Sequence, residues 1–292
     1  MINSRIALIG AGGQLATDLE AALGGDSRLL SHREIEIEDP PSIARALDGV
    51  EEVVINTAAY NLVDKAESEP ERAFAVNSRG VENLASYCAA RGLKLVHFST
   101  DYVLGGDPAH GKPLDENTEP RPVSVYAESK LAGEDAIRRV CRNHLIIRTC
   151  GLYGLAATKA KGNFIETMLR LGQTRPDISV VDDQHCTPSF TVDVARATVD
   201  LIEARASGTF HVTNSGATTW RQLAEEVFRA AGLPVQVKPI TSAEFGAKAR
   251  RPAWSVLDCG RMERLLGRSM PEWRDAVQRY LASRSQSLAK PE

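Results

Sequence analysis

Five short apolar runs, "RIALIG", "SRLLS", "EEVVINTA", "LKLVHFST" and "HLIIRT", recur through the first half of the chain with helical patterns between them. Strands that alternate with helices pair in parallel, because each crossover helix carries the chain back to the same edge of the sheet. The runs are nearly continuous in apolar residues, as strands covered on both faces must be. The pattern predicts an α/β fold, a doubly wound parallel Rossmann sheet. Residues 1–150 form its dinucleotide-binding domain, and segments near 189–214 return to it.

After Thr149 the pattern loosens. The stretch "CGLYGLAATKAKGNF" is rich in glycine and polar residues, and it is followed by a helix "FIETMLRLG", a strand "ISVVD", a loop "DDQHCTPSF" and a helix from Val192 to about Ala204. A strand "TFHVTN" then leads to a helix that Thr218 or Thr219 can cap and that Gly232 ends. Residues 151–188 and 215–292 are expected to form a smaller α/β substrate lobe over the strand ends. The tail "SRSQSLAKPE" reads as loosely ordered.

Composition narrows the function classes. The 292 residues include 35 basic and 38 acidic ones, a formal charge of -3 without long runs of one sign, which points away from nucleic acid and membrane partners. The N-terminal "MINSRIALIGAGG" lacks the layout of a signal peptide, and no apolar run is long enough to cross a bilayer. Cys88, Cys141, Cys150, Cys186 and Cys259 are scattered without CxxC spacing. They are expected to be free buried thiols in a cytoplasmic protein.

The first strand runs into a glycine turn and a helix start, "RIALIGAGGQLATDL". Leu15 takes the third glycine position of the strict GxGxxG pattern, but Gly10, Gly13 and Ala16 fit the looser GxxGxxA. Small residues there let the backbone of Gly10, Gly13, Gln14 and Leu15 approach a pyrophosphate at the helix N-terminus, where N–H groups and the helix dipole favour an anion. At the end of the second strand an acid would mark NAD; Ser31, His32 and Arg33 stand there instead and suit a 2'-phosphate. NADPH is the expected cofactor, with NADH the alternative. The small residues Thr57, Ala58 and Ala59, followed by Tyr60, leave room beside it.

"LKLVHFSTDYV" ends with Ser99, Thr100, Asp101 and Tyr102 at the carboxyl end of a strand, where open α/β sheets bind ligands. In "SVYAESKLAGE", Tyr126 and Lys130 lie one helical turn apart on one face. Their residue types fit hydride reduction. A carbonyl that accepts hydride needs a proton, and a tyrosine hydroxyl can deliver it when a nearby ammonium lowers the cost of the phenolate. Thr100 can give the same oxygen a second hydrogen bond, and Lys130 can also hold the nicotinamide ribose.

Together with "INTAAYNLVDKAE", "AFAVNSRGVENLA", "RTCGLYG", "VVDDQHCTPSFTVDVA" and "RRPAWSVLD", these segments resemble the extended short-chain dehydrogenases/reductases, and within them the dTDP-4-dehydrorhamnose reductase group. The resemblance runs through nearly the whole chain. It implies a catalytic triad of Thr100, Tyr126 and Lys130, sugar contacts from Asp101 and Tyr102, and a structural or cofactor-side role for Asn77. Where the family usually reads "RTSWVYG", Gly151 replaces a tryptophan that lines the sugar pocket, which predicts an enlarged pocket. Leu104 and Gly105 replace an aromatic residue and an acid.

Further candidates lie in the smaller lobe. Gln184, Thr187 and Pro188 are expected near the nucleotide entrance, and Arg251 is placed to pair a diphosphate. His211 reads as a strand histidine satisfied by hydrogen bonds, and Trp220, Trp254 and Trp273 as packing residues. No metal motif is present in the sequence, although the resemblance is to a family some of whose members use magnesium. The resemblance also implies a homodimer.

The implied activity is reduction of the 4-keto group of a dTDP-linked 6-deoxy sugar. A dehydratase would carry an Asp-Glu pair after the threonine, whereas this chain has Asp101 and Tyr102. The remaining alternatives are another sugar-nucleotide ketoreductase and a non-catalytic NADP-binding regulatory subunit.

Overall fold

The computed structural model describes residues 4–25, 27–105, 111–159 and 162–289. The chain enters its main sheet one strand in from an edge with β1 (Ser4–Ile9), moves outward to the edge strand β2 (Ser27–Leu30), then crosses to β3 (Val50–Asn56) on the other side of β1. Next come β4 (Lys94–Thr100) and β5 (His144–Thr149). The shorter strands are β6 (Leu152–Tyr153), β7 (Asp177–Val181), β8 (His185–Cys186), β9 (Ser189–Phe190), β10 (Gly208–His211), β11 (Thr218–Thr219) and β12 (Gln236–Ile240). The six-stranded sheet has the order β10-β5-β4-β3-β1-β2, with every pair parallel. The chain reverses direction across the sheet between β1 and β3, and a crevice opens there at the carboxyl ends.

Both faces of this sheet are covered. Leu8, Ile55, Val96 and Leu145 pack on one side with Leu19 of helix Gln14–Ala22 and Leu201 of helix Thr191–Glu203. Ala7, Ile9, Val54, Leu95 and Ile146 pack on the other with Ile43, Leu84 and Ile137 from helices Pro40–Ala46, Val81–Arg91 and Val125–Val140. Met262 and Met270 join the first cluster, so the stretch around 260–270, expected in the smaller lobe, packs on the main sheet.

A separate cluster of Tyr153, Ile165, Phe190, Leu223, Val227, Trp273 and Tyr280 fills the smaller part. Its helix Trp220–Ala231 opens with a reciprocal capping box between Thr219 and Gln222 and closes at Gly232, which has φ +66°. The tail departs from expectation. Helix Trp273–Ala289 runs through most of it, anchored where Arg284 forks onto Glu166 at 2.7 and 2.9 Å and the Tyr280 hydroxyl donates to the same carboxylate at 2.6 Å. Among the described residues, no helix is long and apolar enough to cross a membrane.

Candidate active site

The glycine turn follows β1 directly. Gly10 has φ +96°, and a Cβ there would sit 2.3 Å from Thr57 Oγ1, so only glycine lets the turn close against the end of β3. Gly12, not singled out from the sequence, also has positive φ, +84°. Gly13 caps helix Gln14–Ala22 without a side-chain hydrogen bond, which leaves its first N–H groups available to an anion. The Gln14 amide donates to Leu152 O at 3.2 Å and Leu15 is buried in the core, so these two can meet a ligand through their backbone.

Beside the turn, Gly10, His32, Ile35, Glu36, Ala58 and Tyr60 help to line a cleft of about 290 Å³. The Ser31 hydroxyl donates to Glu34, leaving His32 on the cleft wall and Arg33 exposed next to it in the chain. A narrow glycine turn, an uncapped helix start and an adjoining cleft fit a dinucleotide.

Asn77 has the bonds of the structural one of its two expected roles. It is 1% exposed, inside the wide helical turn Ala75–Gly80. Its Oδ1 accepts from Tyr60 N at 2.9 Å, while its Nδ2 donates to Tyr60 O at 2.9 Å and Ser129 Oγ at 3.0 Å. Both donor protons are used, so Asn77 ties the loop after β3 to the helix of Tyr126.

Ser124 caps helix Val125–Val140 by accepting from Ala127 N at 3.3 Å. The helix brings Tyr126 and Lys130 against the end of β4. The Thr100 hydroxyl works to lower the Tyr126 pKa, and the Tyr126 ring meets Tyr102 edge to face with centroids 5.9 Å apart. The Thr100 hydroxyl donates to Asp101 Oδ1 at 3.1 Å and accepts from Tyr102 N at 3.3 Å. Burial pushes the Tyr126 hydroxyl up to about 12 and raises the Asp101 carboxyl above its usual range.

Lys130 is 2% exposed and donates to Phe98 O at 2.6 Å. Burial pulls its pKa down to about 8, with Glu134 opposing. Its Nζ also lies 3.3 Å from His97 Nε2, and His97 Nδ1 lies 3.1 Å from Asn56 Nδ2. Sequence reasoning passed over His97 and Asn56. The signal was a histidine and an asparagine inside strands otherwise apolar enough to be buried.

The substrate side differs from expectation in two ways. Gly151 does not leave an open space, because a Cβ there would meet Pro188 Cα at 3.1 Å and the Trp220 indole at 3.3 Å. Trp220 donates to Gln184 Oε1 at 3.2 Å, and the Gln184 amide donates to Ser242 Oγ at 2.8 Å. Arg251 is already paired. Its fork reaches Asp64 at 3.1 and 2.8 Å, since Asp64 lies on the short helix Val63–Ala66 that faces it and also accepts from Ala249 N at 3.0 Å. Arg251 thus clamps its own loop to helix Val63–Ala66 at the edge of a cleft of about 400 Å³ that Gln184, Lys248 and Arg250 also line.

Thr187 is buried and donates to Gly216 O at 2.8 Å. Leu104 packs with Val103, Leu114 and Leu257. His211, expected to be satisfied, is fully buried with neither ring nitrogen in a well-formed hydrogen bond.

The model of the family described as the RmlD substrate binding domain matches residues 4–286. A dTDP-4-dehydrorhamnose reductase of Sinorhizobium fredii is 36% identical over 95% of this chain and 96% of its own. A dTDP-4-keto-6-deoxy-D-glucose reductase of Streptomyces niveus is 36% identical over 88% of this chain and 89% of its own. The crystal structure of a Bacillus anthracis dTDP-4-dehydrorhamnose reductase in complex with NADP superimposes with a TM-score of 0.89, at 34% identity, over 97% of this chain and all of that one. By a family match from the first strand to the last helix, the chain belongs to the RmlD substrate binding domain family.

Proposed function

We propose that the chain reduces the 4-keto group of a dTDP-linked 6-deoxy sugar, turning dTDP-4-dehydro-L-rhamnose into dTDP-L-rhamnose, with Tyr126 as proton donor. The observation that carries this reading is the meeting of Thr100, Tyr126 and Lys130 at the carboxyl end of β4, on the same rim as the uncapped helix start after Gly13. NADPH, when bound, supplies the hydride.

The protein's own groups manage the charge and the proton. A keto oxygen that gains a hydride becomes a strong base, and the Tyr126 hydroxyl, protonated at neutral pH, can give up its proton to it. Thr100 adds a second hydrogen bond by turning its hydroxyl from Asp101 toward that oxygen. Lys130, as an ammonium, lowers the cost of the phenolate left behind and holds a ribose hydroxyl. Gly10, Gly13 and the backbone of Gln14 and Leu15 take the pyrophosphate; Ala58, Ala59 and Tyr60 wall the cofactor; Arg33 reads the 2'-phosphate.

Residues 1–150 with the segment near 189–214 act in this reading as the cofactor domain, joined by the stretch around 260–270 that packs on the main sheet, and the rest as the substrate lobe. Asp101, Tyr102 and Gly151 border the sugar. The Trp220 indole beside Gly151 favours, as a second reading, reduction of a related dTDP-keto sugar of different shape. The proposal extends to a cytoplasmic homodimer on family habit alone, and it assigns no role to magnesium.

The test is loss of NADPH absorbance with dTDP-4-keto-6-deoxy-L-mannose generated in place. Turnover should fall about 10²- to 10⁴-fold in Tyr126→Phe while NADPH affinity is unchanged. An unaltered rate in that variant removes the assignment. Tight NADPH binding without turnover turns the reading to another keto sugar or to a regulatory subunit.

A further inference from the structure

Asn56 and His97 face one another on adjacent strands, as Cα partners in the β3–β4 register, and both are essentially buried, at 1% and 0% exposure. Ala58 N donates to Asn56 Oδ1 at 3.0 Å, which fixes the amide and turns its Nδ2 toward His97 Nδ1 at 3.1 Å. An amide nitrogen only donates, so Nδ1 accepts and a neutral imidazole carries its proton on Nε2. That N–H points at Lys130 Nζ, 3.3 Å away.

An ammonium has three donors and no acceptor. While Lys130 carries its third proton, two buried N–H donors therefore oppose each other. Moving the imidazole proton to Nδ1 shifts the conflict to Asn56, and flipping the Asn56 amide shifts it to Ala58 N–H. As an amine, Lys130 accepts from Nε2 and donates to Phe98 O, and each hydrogen bond from Ala58 to Phe98 has one donor and one acceptor.

We propose that Asn56 and His97 are positioning residues that present an N–H donor to Lys130, so that the lysine sheds its third proton readily in the free protein and regains it when the cofactor binds. The inference rests on the NADPH reading above. A dinucleotide brings phosphate charge and ribose acceptors, both of which favour the ammonium. The other ionisable group that acts on Nζ is Glu134 on its own helix, with Arg148 of β5 and Arg138 pairing that carboxylate. Glu134 favours the ammonium, whereas burial and the His97 donor oppose it. Burial against Glu134 alone puts the Lys130 pKa at about 8, in mildly alkaline solution, and the His97 donor acts in the same direction as burial.

Two measurements on the whole protein test this. In histidine labelled with ¹⁵N, nuclear magnetic resonance of the cofactor-free protein should find His97 neutral with its proton on Nε2, the signal being assigned by its loss in His97→Gln. Calorimetric NADPH titrations at about pH 9, in buffers of different ionisation enthalpy, should show uptake of about one proton per cofactor. Asn56→Asp places an acceptor opposite Nδ1, reverses the tautomer and keeps the ammonium, so uptake should fall below about a third of a proton. A proton on Nδ1 in the wild type, NADPH binding without proton uptake, or unchanged uptake in Asn56→Asp would each overturn the proposal. Absence of NADPH binding sinks the cofactor reading instead, and the tautomer still decides the hydrogen-bond chain.

Discussion

Glu134 and Arg148 meet in a two-pronged pair at 3.0 and 2.7 Å, one helical turn beyond Lys130, with side chains 0% and 2% exposed. The pair joins helix Val125–Val140 to β5. Burial works against the carboxylate, but Arg148 holds its pKa below the usual range. Glu134→Gln would leave the buried guanidinium without its counter-charge, which costs about 3–5 kcal/mol. Urea denaturation should show a loss of that order; a change under about 1 kcal/mol would mean that the interface compensates. The same substitution removes the charge that favours the Lys130 ammonium, so the lysine should titrate below the wild-type value of about 8.

The neighbouring Gly133 is where the Asn77 turn reaches the same helix. A Cβ on Gly133 would lie 2.1 Å from Asn77 O, a backbone atom that cannot turn aside. Gly133→Ala should therefore push the turn and its clamp on Tyr60 away, with a cost of about 1–3 kcal/mol despite alanine's better helix propensity. Thermal denaturation gives the stability loss. NADPH affinity should weaken with it, because Asn77 fixes the loop of Ala58–Tyr60.

Acid should destabilise the fold through its buried imidazoles. Burial, with Arg148 nearby, pushes His211 down to about 4 from an ordinary 6.5. Between those values the unfolded chain takes a proton that the folded one refuses, so stability is full above pH 6.5 and falls until about pH 4. At about 1.4 kcal/mol per unit the whole effect is about 3 kcal/mol. His97, also held well below its usual value by burial, adds a loss of the same sign. His211→Phe should lose about 2 kcal/mol less than wild type between about pH 7 and 5 in urea titrations. Parallel losses in the two proteins would mean that His211 is protonated in the fold.

The six parallel strands were legible because burial on both faces demands apolar runs, and the helix of Tyr126 because its spacing places two polar groups on one face. Strand β12, "QVKPI", gave no such signal: it is half-exposed and carries Lys238 and Pro239. The last helix was missed because its polar stretch is held by Glu166, 118 residues earlier in the chain. Distance along the chain also hid the chemistry of the site. Asn56 and His97 are 41 residues apart, and Arg251 and Asp64 are 187 apart, so neither pairing has a local pattern to read. Residue types announced donors and acceptors at these positions, while the fold chose their partners.

Cofactor choice turns on the end of β2. Of the three residues there suited to a 2'-phosphate, Ser31 donates its hydroxyl to Glu34, and His32 lies 3.7 Å from Glu36. On the cleft wall Arg72 is paired with Glu38 at 2.6 Å. Arg33 is exposed at the same turn, and a guanidinium gives a phosphate two parallel charge-assisted hydrogen bonds. Such a contact is worth about 1.5–3 kcal/mol, so Arg33→Ala should weaken NADPH by about 10- to 100-fold. NADH, with only a hydroxyl at that place, should change less than about twofold, which separates loss of the phosphate contact from damage to the pocket. Fluorescence titration of both reduced cofactors measures the two affinities. Equal weakening of both would move the phosphate contact to His32 or remove it from this turn.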